Sequence, residues 1–415
     1  MVGRNHYKGV PGPLPIDTNL FSVKDGAHLD AFSRLRFSEP FVLFDCALNH
    51  SKQEIFWDEV LYGGATSTWN DTRASLSLSV GTAAGDLAFR QTKEYFRYQP
   101  GKSHLVLQTA ILGSSKVNVR CRVGYFDDNN GMFFEQTSAG VSAVIRSAVS
   151  GTPVDTVVAQ AAWNIDPFDG TGPSRKTLDL SKIQIFVIDF QWLGAGRVRF
   201  GFFMDGALYY AHEVAHANAS DEVYISDPNL PSRFEIENTG VSASATTLEQ
   251  ASTSVISEGG HNPKGVIRAV DTGNSTVSLS AGVRVPVISV RLTDDSVRSS
   301  IVPLAYTVLS TSNDTIHVEL VFNGILENPS WTTLSGASIT EYDQTATTIS
   351  SGTVVWSDYT SQRTGASLIE LEYAESSVTL AATASGVADI YSIAVTPVSP
   401  GTASVVAALN FKELE

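Results

Sequence analysis

The residues with the clearest chemical potential form the segment His212-Glu213-Val214-Ala215-His216. On a helix, two histidines four positions apart lie on one face and can hold a zinc ion, while the glutamate between them activates water for peptide hydrolysis. On a β-strand the same residues alternate between faces, so Glu213 would point away from both histidines. The secondary structure of this segment therefore decides whether it can form a metal site.

The residues that precede this segment predict a β-hairpin. Apolar and small or basic residues alternate over 197–204, and Asp205-Gly206 is a pair typical of a two-residue type I′ turn. With that turn, Arg199 would face His212 across the strands and place a positive charge where a cation must bind. The hairpin interpretation therefore disfavours zinc.

A zinc peptidase also needs a third ligand. Glu235 and Glu237 follow at a distance that some zinc peptidases allow, but both belong to another strand-like alternation. We therefore predict no metal ligand and no catalytic residue. His212 and His216, with Glu213 as the base, remain a remote zinc-peptidase alternative.

Other catalytic signatures are missing from the sequence. It has no nucleophile elbow, phosphate-binding loop, C-x-x-C pair or dinucleotide-binding glycine pattern. The adjacent carboxylates Asp58-Glu59 and Asp294-Asp295 are typical of exposed turns rather than of a glycosidase pair. The segment 127–131, DDNNG, departs from the calcium-loop pattern and predicts a hairpin turn. These observations predict a protein that is not an enzyme and that needs no cofactor.

Composition indicates β structure and narrows the classes of partner. The 415 residues are rich in Val, Ser, Thr and aromatic side chains, and the formal charge of −15 argues against general nucleic-acid binding. Cys46 and Cys121 lie in apolar, strand-like runs and are expected to be buried free thiols, as in cytosolic synthesis. No stretch has the length of an apolar membrane span, and the N-terminus does not read as a secretory signal.

The order of the patterns along the chain predicts two domains. Residues 1–30 are rich in proline and glycine and predict an extended N-terminal arm. Strand-like runs at 31–238 predict a first β-sandwich, in which 52–61 is the only convincing short helix. The small, polar stretch 239–265 is predicted as a linker, and 266–415 as a second β-sandwich. We therefore expect an all-β protein with two antiparallel β-sandwich domains of jelly-roll or lectin-like type.

The tryptophan side chains suggest an alternative function, which is the binding of carbohydrate. A sandwich can present them to host surface glycans, as a carbohydrate-binding adhesin would, although tryptophans are more often core residues with a tethered N–H. The six candidates are Trp57, Trp69, Trp163, Trp192, Trp331 and Trp356.

Four runs of the sequence resemble a family of virion structural proteins from tailed bacteriophages: 31–40 (AFSRLRFSEP), 89–103, 196–218 and 409–415 (LNFKELE). The resemblance implies a non-enzymatic capsid-decorating, fibre, tail or baseplate component, with no active-site residues to carry over. It implies other virion proteins and further copies of the chain as partners, with a trimer as the first expectation. Such a component is made in the host cytoplasm and is located in the virion.

Overall fold

The protein is described by a computed structural model at residues 39–361, 367–370, 379–398 and 401–414, and its regular secondary structure there is almost entirely β-strand. The pairings between its strands are antiparallel. The helical segments in this part of the chain are two single 3₁₀ turns, Gln160–Ala162 and Asp294–Ser296. The predicted all-β fold of antiparallel sandwiches is confirmed, while the predicted arm at 1–30 lies outside the described residues.

The first sandwich has two large sheets. Its strands are β1 (Phe41–Ala47), β2 (Trp57–Tyr62), β3 (Thr66–Asn70), β4 (Ser75–Val80), β5 (Leu87–Thr92), β6 (His104–Ile111), β7 (Val119–Phe126), β8 (Gly131–Thr137), β9 (Gly140–Ser147), β10 (Val154–Ala159), β11 (Gln184–Phe190), β12 (Arg197–Met204), β13 (Ala207–Ala215), β14 (Ser232–Asn238) and β15 (Thr246–Ser257). One sheet has the order β13-β12-β11-β6-β15-β4-β3, with β1 also paired to β15. The other has the order β10-β9-β8-β7-β14-β5-β2.

Alternating side chains bury the inner faces of these two sheets against each other. Phe134 on β8 meets Phe186 on β11 and Phe202 on β12, with ring centroids 5.3 and 4.9 Å away. Trp163 and Phe168 close this aromatic cluster from the loop after β10. Close packing between the sheets fixes which face of β12 and β13 is left outside.

The predicted linker at 239–265 is wrong, because it contains β15, a strand of the first sandwich. β15 lies in the middle of one sheet, between β6 on one side and β4 and β1 on the other. Its less buried residues are mostly polar, such as Thr247 and Ser254, and alternate side chains such as Leu248 and Val255 are buried in the core. A strand with one solvent-exposed face can therefore have the composition of a linker.

The predicted short helix at 52–61 is also wrong, because its second half is β2. Pairing with β5 holds these residues extended, and Trp57 points into the core. There the indole N–H donates to Sγ of Cys46 at 3.3 Å, and the guanidinium of Arg90 lies 4.6 Å from the ring centroid. Tertiary pairing has outweighed the helical pattern of polar residues.

The second sandwich follows from β16 onward. Its strands are β16 (Val266–Asp271), β17 (Val277–Leu279), β18 (Val285–Leu292), β19 (Ser300–Ser310), β20 (Ile316–Phe322), β21 (Ile325–Leu326), β22 (Thr332–Thr333), β23 (Thr340–Asp343), β24 (Ile349–Ser350), β25 (Thr353–Thr360), β26 (Ser367–Glu370), β27 (Ile390–Pro397) and β28 (Ala403–Leu414). One sheet has the order β16-β28-β19-β26, with β17 also on β28. The other has the order β22-β23-β18-β27-β20-β25, and β21 pairs with β24.

Polar contacts join the two sandwiches. A guanidinium nitrogen of Arg298 lies 2.8 Å from a carboxylate oxygen of Asp127, and Lys93 Nζ lies 3.2 Å from Asp389 Oδ1. Burial raises the pKa of Asp389, and the nearby Lys93 partly offsets this effect. The sandwiches therefore meet through charged groups that are partly removed from water.

The two thiols are buried and unpaired, as predicted. Burial raises the pKa of the Cys121 thiol to about 12. No helix in the described residues has the length and apolar character needed to cross a membrane.

Candidate functional site

The segment with the H-E-x-x-H pattern is a strand of a β-hairpin. β12 and β13 are joined by Asp205-Gly206, whose φ values of +52° and +77° place both residues in the left-handed region. Two such residues in succession are the requirement of a type I′ turn. The predicted hairpin is therefore confirmed.

The register of this hairpin differs from the prediction by one residue. Arg199 faces Glu213, not His212, because the pairing shifts between Phe200 and Gly201. Ala211 is the extra residue of this bulge, and its carbonyl accepts hydrogen bonds from the backbone N–H groups that begin the neighbouring loop. The bulge brings Glu213 to the same outer face as Arg199.

The two histidines of the motif have structural partners of their own. His212 is buried, its Nδ1 accepts the backbone N–H of Asn164 at 3.3 Å, and burial lowers its pKa. His216 Nδ1 lies 2.7 Å from the carbonyl oxygen of Gly196, and its ring stacks on Tyr224 with centroids 4.2 Å apart. These contacts orient both rings without a metal ion.

The acidic residues of the zinc hypothesis lie apart from these rings. Glu213 is on the opposite face of β13 from His212 and forms an ion pair with Arg197 at 3.3 Å. Glu235 belongs to the other sheet, where it pairs with Arg122 at 3.0 Å and Arg233 at 2.6 Å. Among the described residues, no three His, Cys, Asp or Glu side chains are grouped to hold a metal ion.

A groove of about 500 Å³ lies on the outer side of this hairpin, and we call it the hairpin groove. The strands contribute one wall and the loop between β10 and β11 contributes the other. Its lining residues are Ile165, Asp166, Pro173, Ser174, Arg199, Leu208, Tyr209, Tyr210 and Glu213. The hairpin groove therefore combines two aromatic side chains with carboxylates and a guanidinium group.

Tyr210, Asp189 and Arg199 form the ordered centre of this wall. The hydroxyl of Tyr210 donates to Asp189 Oδ2 at 2.6 Å, and Arg199 forms an ion pair with the same carboxylate. The guanidinium carbon of Arg199 also lies 4.1 Å from the centroid of the Tyr210 ring. Burial, followed by the contact with Asp189, raises the pKa of Tyr210, so the phenol keeps its proton.

The loop wall is held by the carboxylate of Asp166. Its oxygens accept the backbone N–H groups of Phe168 at 2.9 Å and Ser174 at 2.7 Å. Burial acts to raise the pKa of Asp166, but its hydrogen bonds outweigh that effect and lower it. Asn164 ties the same loop to β13 by accepting the N–H of Glu213 at 2.9 Å. Both walls of the hairpin groove are therefore fixed before a ligand binds.

Such a wall suits a ligand that has both apolar C–H surfaces and many hydroxyl groups. Aromatic rings pack against the former, and carboxylates or guanidinium groups hydrogen-bond the latter. The tryptophans proposed for this role from the sequence do not line the hairpin groove. Trp57 and Trp163 are core residues, and the indole N–H of Trp192 is tethered to the carbonyl of Ile225.

Sequence reasoning missed Tyr210 and Asp189. The adjacent tyrosines of the hairpin were the available signal, but their orientation depends on the bulge at Phe200 and Gly201. Asp189 comes from the neighbouring strand β11, where it faces Arg199. The spacing of residues along the chain does not predict the contact between Asp189 and Arg199.

No known family model matches the sequence, and no curated protein matches it either. Among solved structures, a glycosyl hydrolase family 16 protein from Mycobacterium smegmatis is similar, with 10% identity, a TM-score of 0.36, and coverage of 52% of this chain and 100% of that chain. A beta-1,3-glucanase from Mycobacterium marinum has 11% identity, a TM-score of 0.35, and coverage of 52% and 98%. A legume lectin-like domain from Entamoeba histolytica has 10% identity, a TM-score of 0.30, and coverage of 51% and 95%.

The prediction that the chain is not an enzyme is contradicted by these neighbours, because two of the three are named as a glucanase and a glycosyl hydrolase. That prediction depended on missing sequence motifs. Glycosidase chemistry requires two carboxyl groups at a suitable separation in space, and their separation along the chain is not fixed. A search for short motifs therefore could not exclude this class of enzyme.

Proposed function

We propose that this protein binds carbohydrate, and that the hairpin groove is the binding site. The observation that supports this proposal is the ordered group of Tyr210, Asp189 and Arg199 in the wall of the hairpin groove. Their mutual contacts fix an aromatic ring beside charged hydrogen-bonding groups, so little side-chain entropy is lost when a sugar binds.

Binding can be tested with a glycan array followed by calorimetry of the bound oligosaccharide. Tyr210→Ala removes the aromatic surface and the hydroxyl, and we expect about a tenfold or greater loss of affinity. Tyr210→Phe keeps the ring and releases only the contact with Asp189, so its loss should be smaller. The matched control is Tyr359→Ala, because Tyr359 is an exposed tyrosine of the second sandwich that stacks on His317 at 4.8 Å.

An array without bound glycan, or equal loss of affinity in Tyr210→Ala and Tyr359→Ala, would overturn the hairpin groove as the site. Turnover should be measured in the same samples by the release of reducing ends from each bound oligosaccharide. If reducing ends are released by the wild-type protein but not by Glu213→Gln, the hairpin groove is an active site as well as a binding site.

We also propose that the protein serves a tailed-phage particle, where a glycan-binding sandwich would contact the host surface. The support is the resemblance of the runs 31–40, 89–103, 196–218 and 409–415 to virion structural proteins. Mass spectrometry of purified particles of a phage that encodes this chain tests this role. Absence of the chain from particles that contain the other structural proteins would refute it.

A further inference from the structure

Arg199, which lines the hairpin groove, and Arg197 on the same strand already have carboxylate partners in the protein. Arg199 is engaged by Asp189, and Arg197 lies 3.3 Å from a carboxylate oxygen of Glu213. Arg199 also lies over the ring of Tyr210, which further limits its freedom. A sugar carboxylate would therefore have to compete with a carboxylate of the protein for either guanidinium group.

The anionic groups in the lining offer acceptors to a ligand, beside the hydroxyls of Ser174 and Tyr209. Asp166 and Glu213 are lining residues with carboxylate oxygens, and Asp189 lies directly behind Tyr210 and Arg199. A carboxylate can accept hydrogen bonds but cannot donate them. The hydroxyl proton of Tyr210 is already given to Asp189 at 2.6 Å. These carboxylates therefore favour a ligand that supplies donors and brings no further negative charge.

We infer that the ligand of the hairpin groove is an uncharged glycan, whose hydroxyl groups donate to these carboxylates, and that glycans carrying carboxylates are rejected. This inference rests on the proposed function and names the class of sugar. A uronic acid or sialic acid in the hairpin groove would face the carboxylates of Asp166 and Glu213, whereas the guanidinium groups of Arg197 and Arg199 are already paired with carboxylates of the protein. Like charges brought together in a partly dehydrated site repel strongly enough to decide specificity.

Matched pairs of oligosaccharides test the inference. Each pair has the same length and linkage, and one member carries neutral hexoses where the other carries uronic acids. We expect the uronate member to bind at least about tenfold more weakly than the neutral member at low salt. Raising the ionic strength should narrow the ratio by screening the repulsion, while leaving the affinity of the neutral member nearly unchanged.

Charge removal gives the second measurement. Glu213→Gln keeps the size of the side chain, removes one carboxylate and leaves Arg197 without its ion-pair partner. The ratio of neutral to uronate affinity should therefore fall toward one in this variant. The matched control is Glu222→Gln, since Glu222 is exposed and lies outside the hairpin groove, and this variant should keep the wild-type ratio.

The outcomes separate the two proposals. A uronate that binds as tightly as its neutral partner, or an unchanged ratio in Glu213→Gln, refutes the choice of ligand while the hairpin groove stays a glycan site. An affinity for uronates that depends on Arg175, an exposed neighbour of Ser174, refutes it in the same way. Failure of every pair to bind refutes the proposed function itself.

Discussion

His104 at the start of β6 provides a sharp test of the core of the first sandwich. Its ring is fully buried among Tyr98, Tyr125 and Phe190, with centroids 5.2, 6.3 and 5.5 Å away. Neither ring nitrogen has a hydrogen-bond partner among the residues that the structure describes. Burial lowers its pKa from the ordinary 6.5 to about 3, so the ring in the folded protein is mainly neutral above about pH 3.

The sign of the pH dependence follows from this lowered pKa. Above pH 6.5 the ring is neutral in both the folded and the unfolded chain, and its full contribution to stability is present. As the pH falls from 6.5 toward 3, the unfolded chain gains a proton that the folded protein excludes, so stability is lost. The two pKa values imply a loss of about 2 kcal/mol at pH 5, and of about 5 kcal/mol below pH 3.

We therefore predict that His104→Leu removes this acid sensitivity. The free energy of unfolding should be measured with urea at pH 8 and pH 5, using tryptophan fluorescence from the first sandwich. Wild type should lose about 2 kcal/mol more than His104→Leu between the two pH values. At pH 8 the variant should be the more stable, by about 1 kcal/mol or more, because two unpartnered buried nitrogens are gone.

His50 provides the control, because it is exposed and His50→Leu should keep the wild-type pH dependence. Burial, and then Lys102 and Lys412, also lower the pKa of His261 to about 4. Because wild type and both variants contain His261, its effect cancels when their stabilities are compared. Equal losses of stability in wild type and His104→Leu between pH 8 and pH 5 would refute the reasoning.

Three further predictions concern other parts of the chain. Gly201→Ala would place Cβ 2.5 Å from the carbonyl oxygen of Tyr209, so we expect a loss of about 1–3 kcal/mol in the free energy of unfolding and weaker glycan binding. An unchanged melting temperature and an unchanged affinity would contradict this. Arg298→Ala leaves the buried carboxylate of Asp127 without its cation and should lower the free energy of unfolding, measured by calorimetry, by about 1–3 kcal/mol. An unchanged free energy of unfolding would show that the ion pair is unimportant. Burial raises the pKa of Glu94 to about 7, so the contribution of its neutral carboxyl group to folding stability is complete at acidic pH and is lost as the pH rises through 7. Glu94→Gln should therefore raise the melting temperature more at pH 8 than at pH 5. A gain in melting temperature that is independent of pH would disprove this.

Local patterns in the sequence were sufficient for the hairpin that carries the candidate site. The alternation over 197–204 and the pair Asp205-Gly206 act between neighbours in the chain, and the turn can form only with the φ values that the structure shows. The same holds for 127–131, where Oδ1 of Asp127 accepts two backbone N–H groups and closes the turn between β7 and β8. Short-range geometry of this kind is encoded by the residues themselves.

The sequence was not sufficient where the partner of a strand decides the outcome. The segment 52–61 has a helical pattern, but its second half pairs with β5 and becomes β2. The segment 246–257 has the composition of a linker, but pairing on both sides makes it β15. In both cases hydrogen bonds from distant residues outweigh weak local preferences, and those bonds are not visible along the chain.

The sequence by itself determined the β-rich class, the hairpin and the burial of its two thiols, because each depends on composition or on residues close together in the chain. Tertiary structure alone decided what the hairpin does. The bulge that leaves Ala211 unpaired turns Glu213 toward Arg199, and β11 brings Asp189 beside Tyr210. Of the apparent zinc motif, only Glu213 lines the groove, since the faces of a strand separate groups that a helix would have brought together.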